Sequence, residues 1–452
     1  MAKIELYFGL PSGRAFKKFC VWFLFLGNIA GILFLWMINS RYYIENPSDG
    51  NIYIAFGRLF GLLGELLLLT QLVLVGRIRS IEHLFGFDKL NRIHRWIGYS
   101  ILGFLLSHPL FLVIGNAWAN NVSLISQFAD FLANKKDVLL SFFALLIFIL
   151  IIFLSIPITR HKLRYEVWYF VHLLTYVGIG LALKHQLGTG DLREGGALYY
   201  WYVLNFGIFG FVLLFRFLRP LYRYVYFGFR VERVVQESPD TWSLYITGRH
   251  MEKFVFESGQ YANITILSRT MWYTHPFSFS AAPNGETIRF TIKGLGDYTS
   301  KIKDLTPGTP VIIDGPLGLF IRQTAVRDKF LLIAGGIGIT PLRAMAETFT
   351  HEKKDAVLLY ACRTEKDIVF RNEFEGLKAS CPLLKTSYVL GTSTPGFESG
   401  LIDKTKVVKL VPDFFDREVF LCGPPPMMKA VAGILRELGF ASKYVHFERF
   451  SF

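Results

Sequence analysis

The first half of the chain alternates long apolar runs with short basic segments. Phe19 to Ile38 holds 20 residues without a charge, and Val138 to Thr159 holds 22. A helix needs about 20 residues to cross a hydrocarbon core of about 30 Å. Ala197 to Phe215 is a third clean run, just long enough. Three further runs carry isolated polar residues: 52–76 (Arg58, Glu65), 90–115 (His94, His108) and 166–187 (His172, His185). The pattern predicts six transmembrane helices. After Arg223 no such run recurs. Short strands of period two follow from about Phe229, and strands alternating with helices follow from Lys329.

Length and charge refine this picture. At about 150 residues per domain, 452 residues suggest three domains. They divide as 1–225, a six-helix transmembrane domain; 226–326, an antiparallel β-barrel; and 327–452, an α/β domain with a parallel sheet. Charged residues are 19% of the chain, below the usual ~25%. Four cysteines, at 20, 362, 381 and 422, spell out neither a disulfide framework nor a thiolate metal site. The net charge of +14 is topological in origin. Lys3, Arg14, Lys17, Lys18, Arg77, Arg79, Lys89, Arg92, Arg95, Arg160, Lys162, Arg164, Arg216, Arg219 and Arg223 fall on one side of the spans. Only Arg41, Lys135, Lys136 and Arg193 fall in the opposite loops. The positive-inside rule then puts both termini in the cytoplasm of a multi-pass cell-membrane protein. The charge therefore gives nucleic-acid binding no support. The first apolar run exceeds the 7–15 residues of a signal h-region, so it is expected to persist in the mature protein.

The intramembrane histidines carry the first chemistry. An ionisable residue inside a span is costly and marks function by default. His94 and His108 are 14 residues apart on span three, and His172 and His185 are 13 apart on span five. Both spans run the same way, so His94 lies level with His172 and His108 with His185. At 1.5 Å per residue the levels are about 20 Å apart. Two imidazoles at each level suit two stacked haems with paired axial ligands. Four histidines satisfied by polar neighbours is the plainer alternative. Thirteen residues turn a straight helix about 140° off the starting face, so span five is expected to kink or bulge near Gly178 and Gly180. Arg92 and Arg95 near the inner pair, and Lys184 and Arg58 near the outer, suit haem propionates or ordinary snorkelling equally.

The second half carries nucleotide chemistry. His275-Pro276-Phe277-Ser278-Phe279-Ser280 lies inside the barrel region. Lys293-Gly294, Gly296 and Thr299 follow at the start of a short helix. Free N–H groups there, with the Lys293 charge, suit a pyrophosphate. Gly335-Gly336-Ile337-Gly338-Ile339-Thr340-Pro341 joins a strand to an amphipathic helix, as phosphate-binding loops do. Cys422-Gly423-Pro424 ends another strand, where ligands of parallel sheets bind. Arg363 ends a third, placed to hold a 2′-phosphate or simply to face solvent. Phe450 and Phe452 close the chain in a Phe-x-Phe motif after Glu448. They suit a strand core or a stack on a flavin ring.

Together these segments resemble the NADPH oxidase and ferric reductase superfamily, most of all a compact bacterial NADPH oxidase. The resemblance covers nearly the whole chain and implies a ferredoxin-reductase-like module after the bundle. It implies FAD on His275, Pro276, Phe277, Ser278 and Ser280, with the pyrophosphate at Lys293, Gly294, Gly296 and Thr299. It implies NADPH, with NADH left open, on Gly335, Gly336, Gly338, Thr340, Pro341 and Arg363. Cys422, Gly423 and Pro424 then flank the nicotinamide. Phe450, or alternatively Phe452, covers the flavin, with Cys422 and Glu448 beside the reacting centre. Two haems b sit on the four histidines. There is no EF-hand loop, and no protein regulator is evident. Leu112 stands where animal relatives can carry a further histidine, which leaves Arg58 as the candidate for an oxygen site.

The implied activity carries electrons from cytosolic NAD(P)H through FAD and both haems to oxygen outside, giving superoxide. Membrane lipid surrounds the bundle. Two other outcomes stay open: reduction of ferric or cupric chelates, and supply of electrons to an extracytoplasmic protein partner.

Overall fold

The computed structural model describes residues 13–448, apart from residues 77, 136, 161, 164, 188–191 and 193–194. Phe450 and Phe452 lie outside the described residues, as do Lys3, Arg77, Lys136, Arg164 and Arg193. The chain divides into two compact units, Met1–Phe217 and Leu218–Phe452.

Six helices of the first unit are long and apolar enough to cross a membrane. The spans are Gly13–Asn39, Asn51–Val75, Phe87–Ala119, Val138–Ser155, Tyr165–Gln186 and Gly195–Val212. Span four ends at Ser155, earlier than its apolar run suggests. Pro157 disfavours helical geometry at Ile156, which turns extended (ψ 138°). Span six continues through a π-helical segment, Leu213–Leu218, into helix Arg219–Phe227. Pro220 lacks the N–H that would bond the Arg216 carbonyl, and a wide turn absorbs the defect. Helix therefore extends past residue 225, while the division into units falls inside the π-helical segment. Span five is uninterrupted α-helix, so of the kink or bulge expected near Gly178 and Gly180 the bulge is absent. Gly178 serves packing instead. A Cβ there would meet the Phe148 ring at 3.0 Å, so the glycine lets spans four and five approach.

The second unit is a ferredoxin-reductase-like module. Its first part holds strands β1 (Arg230–Ser238), β2 (Thr241–Thr247), β3 (Tyr261–Ile266), β4 (His275–Ser278), β5 (Ile288–Lys293) and β6 (Val311–Leu317). They form two antiparallel sheets, β1-β2-β5 and β4-β3-β6. Bridges Phe279↔Phe290 and Arg230↔Pro310 join the sheets at both edges and close a six-stranded barrel. Closure leaves no free edge. Phe229, Leu244, Ile264, Phe279, Phe290 and Ile313 fill the interior.

The second part holds β7 (Lys329–Gly335), β8 (Asp355–Cys362), β9 (Leu384–Leu390), β10 (Glu398–Ser399), β11 (Arg417–Cys422) and β12 (Val445–Glu448). All pair in parallel, in the order β10-β9-β8-β7-β11-β12. Along β7, Phe330 and Leu332 enter one core while Leu331 and Ile333 enter the other. Helices on both faces cover such strands, which is why the run reads as continuously apolar. Strand order reverses between β7 and β11, which makes a crevice at their carboxyl ends.

Candidate functional site

The four histidines meet in two pairs. His94 and His172 have ring centroids 6.1 Å apart, and His108 and His185 6.2 Å apart. A metal bonded to an imidazole nitrogen lies at ~2 Å, and the ring centre lies ~1 Å further on. Two rings on opposite sides of one iron therefore sit about 6 Å apart. Both pairs have that spacing. The ring nitrogens agree with it. His108 Nδ1 lies 2.8 Å from the Gly57 carbonyl and His185 Nδ1 2.5 Å from that of Ala182. An Nδ1–H donated to a carbonyl leaves the Nε2 lone pair for a metal. His172 Nδ1 lies 3.5 Å from Ser155 Oγ, and the Trp168 ring stacks on it at 5.0 Å. Trp168 Nε1 donates to the same Ser155 oxygen at 3.1 Å. His94 Nδ1 is buried without a partner among the described residues, while Gln71 Nε2 bonds the His94 carbonyl at 2.8 Å.

Glycines on span two make room for the outer pair. A Cβ at Gly61 would lie 2.6 Å from His108 Nδ1, and one at Gly57 2.9 Å from Leu112. The Gly57-x-x-x-Gly61 spacing, a close-packing pattern for helices in membranes, was the available signal. Gly61→Val is expected to displace the His108 ring and, on a two-haem reading of the histidine pairs, to reduce the haem-to-protein ratio toward half. Gly64→Ala, whose Cβ would meet Phe104 at an ordinary 3.4 Å, is the control and should leave the ratio unchanged. Pigment absorbance against protein concentration checks both.

Arg58 turns to span two's neighbour: Nη2 donates to the Tyr43 hydroxyl at 3.1 Å, with the guanidinium 4.4 Å from the Tyr43 ring centre. Lys184 pairs with Asp137 at 3.0 Å.

In the second unit, β4 pairs with β3 and puts His275 against the Tyr298 ring, with centroids 4.0 Å apart. Phe277 lies 6.4 Å from Tyr298, nearly parallel to it. Pro276 is exposed. Ser278 Oγ is buried with no hydrogen bond among the described residues, an orphan that a flavin would satisfy. Ser280 faces inward, bonding Thr291 at 2.8 Å. The Gly294–Thr299 turn differs from expectation. The N–H groups of Leu295 and Gly296 donate to Thr299 Oγ1 at 2.9 and 3.0 Å and are not free. The helix that follows is a six-residue 3₁₀ segment. Lys293 Nζ is 3.0 Å from Asp240, so its charge is already paired. A Cβ on Gly294 would press the Trp242 ring at 3.2 Å, while Gly296 stands open.

The crevice between β7 and β11 is built from glycine. A Cβ at Gly338 would lie 2.4 Å from the Cys422 carbonyl oxygen, and one at Gly335 2.9 Å from Pro424 Cδ. A Cβ at Gly423 would lie 3.1 Å from Gly335. Gly336 has φ +50°, where a side chain is strained. Thr340, buried, donates to the Ile337 carbonyl at 3.1 Å, and Pro341 sits in the first turn of helix Ile339–His351. Burial pushes the Cys422 thiol well above its ordinary range, and the Glu448 carboxylate pushes it further. The thiol is therefore neutral, and Glu448 pairs with it in register on β12. Arg363 is exposed just beyond β8.

Sequence comparison bears on these sites. Residues 60–183 match the family described as ferric reductase like transmembrane component. Residues 227–319 match an FAD-binding domain and residues 332–433 an oxidoreductase NAD-binding domain. The chain has the domain architecture of the NADPH oxidase and ferric reductase superfamily. It is 29% identical over 233 residues to the glycine betaine monooxygenase reductase subunit of Chromohalobacter salexigens, covering 49% of this chain and 63% of that protein. It is 27% identical over 238 residues to the flavohemoprotein of Bacillus subtilis, covering 50% and 59%. A similar solved structure is the FAD/NAD-binding domain of nitric oxide dioxygenase from Vibrio cholerae O1 biovar El Tor. It has a TM-score of 0.45 and 25% identity, over 49% of this chain and 97% of that one. The chain spans less than two thirds of the length of the two curated relatives. The second unit thus matches FAD-binding and oxidoreductase NAD-binding domains, and the first a ferric-reductase-like transmembrane component.

The glycine crevice carries its own expectation. Gly338→Ala sets a methyl against the Cys422 backbone, which cannot swing away. Overpacking of that kind costs about 1–3 kcal/mol. The loop lies within the matched NAD-binding domain, and on the reading that it holds the nucleotide, affinity for NAD(P)⁺ is expected to drop about tenfold, measured by calorimetric titration.

A buried charge cluster escaped sequence reading. Arg289 on β5 makes a bidentate bond to Glu373 at 2.7 and 3.1 Å. Arg343 reaches Glu373 at 2.5 Å and also pairs with Glu347. Both arginines donate to the Ser280 carbonyl, at 2.7 and 3.5 Å. Isolated charged residues in three distant segments give no local signal of such a cluster.

Proposed function

We propose that this chain is a transmembrane NAD(P)H oxidase that passes electrons singly to oxygen and yields superoxide. The observation that carries the reading is the pair of imidazole pairs, each at the spacing of two ligands on one iron. His94 and His172 would hold an inner haem b, and His108 and His185 an outer one. When bound, FAD turns a hydride from NADPH or NADH into single electrons, and the haems let those electrons cross the hydrocarbon core.

The chain's own residues do the rest. Ser278 Oγ offers an unpaired hydroxyl to the flavin, and His275, Pro276, Phe277 and Ser280 line its strand. Gly335, Gly336, Gly338, Thr340 and Pro341 admit the nucleotide phosphates, and Arg363 meets a 2′-phosphate. Cys422 stands neutral beside the nicotinamide, with Gly423 and Pro424 shaping the crevice and Glu448 adjacent. Phe450 covers the flavin until the nicotinamide arrives, with Phe452 as the alternative. Gly294, Gly296 and Thr299 shape the turn near the pyrophosphate, and Lys293 contributes charge once released from Asp240. With two imidazoles committed to each haem, the chain would offer oxygen only outer-sphere contact. Arg58 lies one residue from Gly57, whose carbonyl holds His108, and supplies positive charge where a superoxide anion forms. Basic residues on one side of the spans keep both termini in the cytoplasm of the cell membrane.

The test uses purified full-length protein in detergent with FAD and NADPH. Cytochrome c reduction that superoxide dismutase abolishes supports the oxidase. Haem that reduces but turns over only with an added ferric chelate replaces it with a metalloreductase. Well-folded protein without haem absorbance removes the reading.

A further inference from the structure

Glu65 lies near the middle of the 25-residue span Asn51–Val75 and is 3% exposed. Its Oε2 accepts a hydrogen bond from Gln186 Nε2 at 3.1 Å. Its Oε1 is buried and has no partner among the described residues. No cation of the described residues pairs with it. Arg58, two turns away on the same span, is turned to Tyr43, and Lys184 to Asp137. On span six, the Tyr200 hydroxyl donates to Asn28 of span one at 2.8 Å. A carboxylate held in hydrocarbon without a counter-charge is strongly disfavoured.

Neighbours of both outer histidines flank this carboxylate. Gly61, one turn earlier, lies under the His108 imidazole. Gln186 directly follows His185 in the chain. Trp201 Nε1 donates to Gln186 Oε1 at 2.9 Å, which fixes the amide with its Nε2 toward Glu65. The group that the outer pair would hold supplies the missing charge. A ferric porphyrin core with two neutral imidazoles is cationic, and one electron makes it neutral.

We propose that Glu65 is the counter-charge of the outer haem site. It favours the ferric state there and so lowers the outer potential relative to the inner one. Net charge and burial around a haem set its potential, and both act strongly in a medium of low dielectric. A lower outer potential strengthens the driving force for one-electron reduction of the acceptor. Gln186 and Trp201 are positioning residues that hold the carboxylate in place. The inference rests on the two-haem reading.

The test is potentiometric titration of the full-length holoprotein, with the two haems resolved by their spectra. Glu65→Gln is expected to raise the outer midpoint by at least about 59 mV, a tenfold change in the oxidised-to-reduced ratio, and to leave the inner midpoint in place. Glu65→Met, a second neutral side chain of similar volume, should shift it likewise if Glu65→Gln does not retain haem. Glu65→Asp keeps the charge and should stay near the unsubstituted protein. Unchanged outer potentials in the neutral variants, equal shifts of both haems, or an Asp variant that shifts as far as the neutral ones would each overturn the proposal. Haem-free unsubstituted protein would instead overturn the two-haem reading itself.

Discussion

Replacing His108 with alanine is expected to halve the haem-to-protein ratio while leaving NADPH-driven flavin reduction intact. The ring stands 6.2 Å from its partner His185 and is held by the Gly57 carbonyl. Alanine removes the nitrogen proposed to bind the haem and leaves a gap against Gly61. His185→Ala should act alike, because either loss leaves the outer site one ligand short. The inner pair contacts Ser155, Trp168 and Gln71, none of which lies in the outer site, and should stay loaded. On the proposed oxidase reading, superoxide output should fall below detection in both variants. Haem extraction against protein concentration reads the first effect, and dismutase-sensitive cytochrome c reduction the second. A ratio that does not fall would remove the outer-haem assignment.

Replacing Glu373 with alanine should destabilise the second unit by about 3–5 kcal/mol, the usual effect of stripping one partner from a buried ion cluster. Arg289 and Arg343, with side chains 5% and 8% exposed, would lose their shared carboxylate. Both guanidinium groups would remain under the Phe370 ring, at 4.6 and 5.9 Å from its centre. For a unit of this size the loss lowers the unfolding midpoint by roughly 10 °C. The cluster also ties the flavin-side strand to the nucleotide-side helices through the Ser280 carbonyl. Hydride transfer should therefore slow along with the loss of stability. Acid should weaken the same contact. Burial raises the Glu373 carboxyl, but the hydrogen bonds and charges of Arg289 and Arg343 outweigh it and hold the group below its ordinary value. A depressed carboxylate stabilises the fold above the unfolded value of about 4.3 and loses that contribution as pH falls through the folded value. Thermal unfolding followed by flavin fluorescence between pH 7 and pH 4 checks this, with a smaller acid loss expected in Glu373→Ala.

Several residues show where local pattern sufficed and where it failed. The spans were readable because hydrocarbon demands an uninterrupted run of about 20 apolar residues. Prolines account for the changed ends of spans four and six, at Pro157 and Pro220. The histidine levels followed from helical rise alone. Span five stays continuous α-helix, without the bulge that was one form of the expected departure, and His185 still reaches 6.2 Å from His108. Lys293 and the N–H groups of Leu295 and Gly296 looked free in sequence. Asp240 and Thr299 Oγ1 take them in the folded chain.

The sequence by itself determined the six-span bundle, the antiparallel and parallel modules that follow, and the residue types at each cofactor motif. These depend on hydrophobicity, periodicity and turn chemistry, which act over a few residues. Only the tertiary structure decided that the histidines pair at 6.1 and 6.2 Å, that Gly61 opens the space for His108, and that Gly338 meets the Cys422 backbone. It alone joined Arg289 to Glu373 and Glu65 to Gln186, 84 and 121 residues apart. Such contacts arise from close packing between distant segments, and no local window of sequence holds both partners.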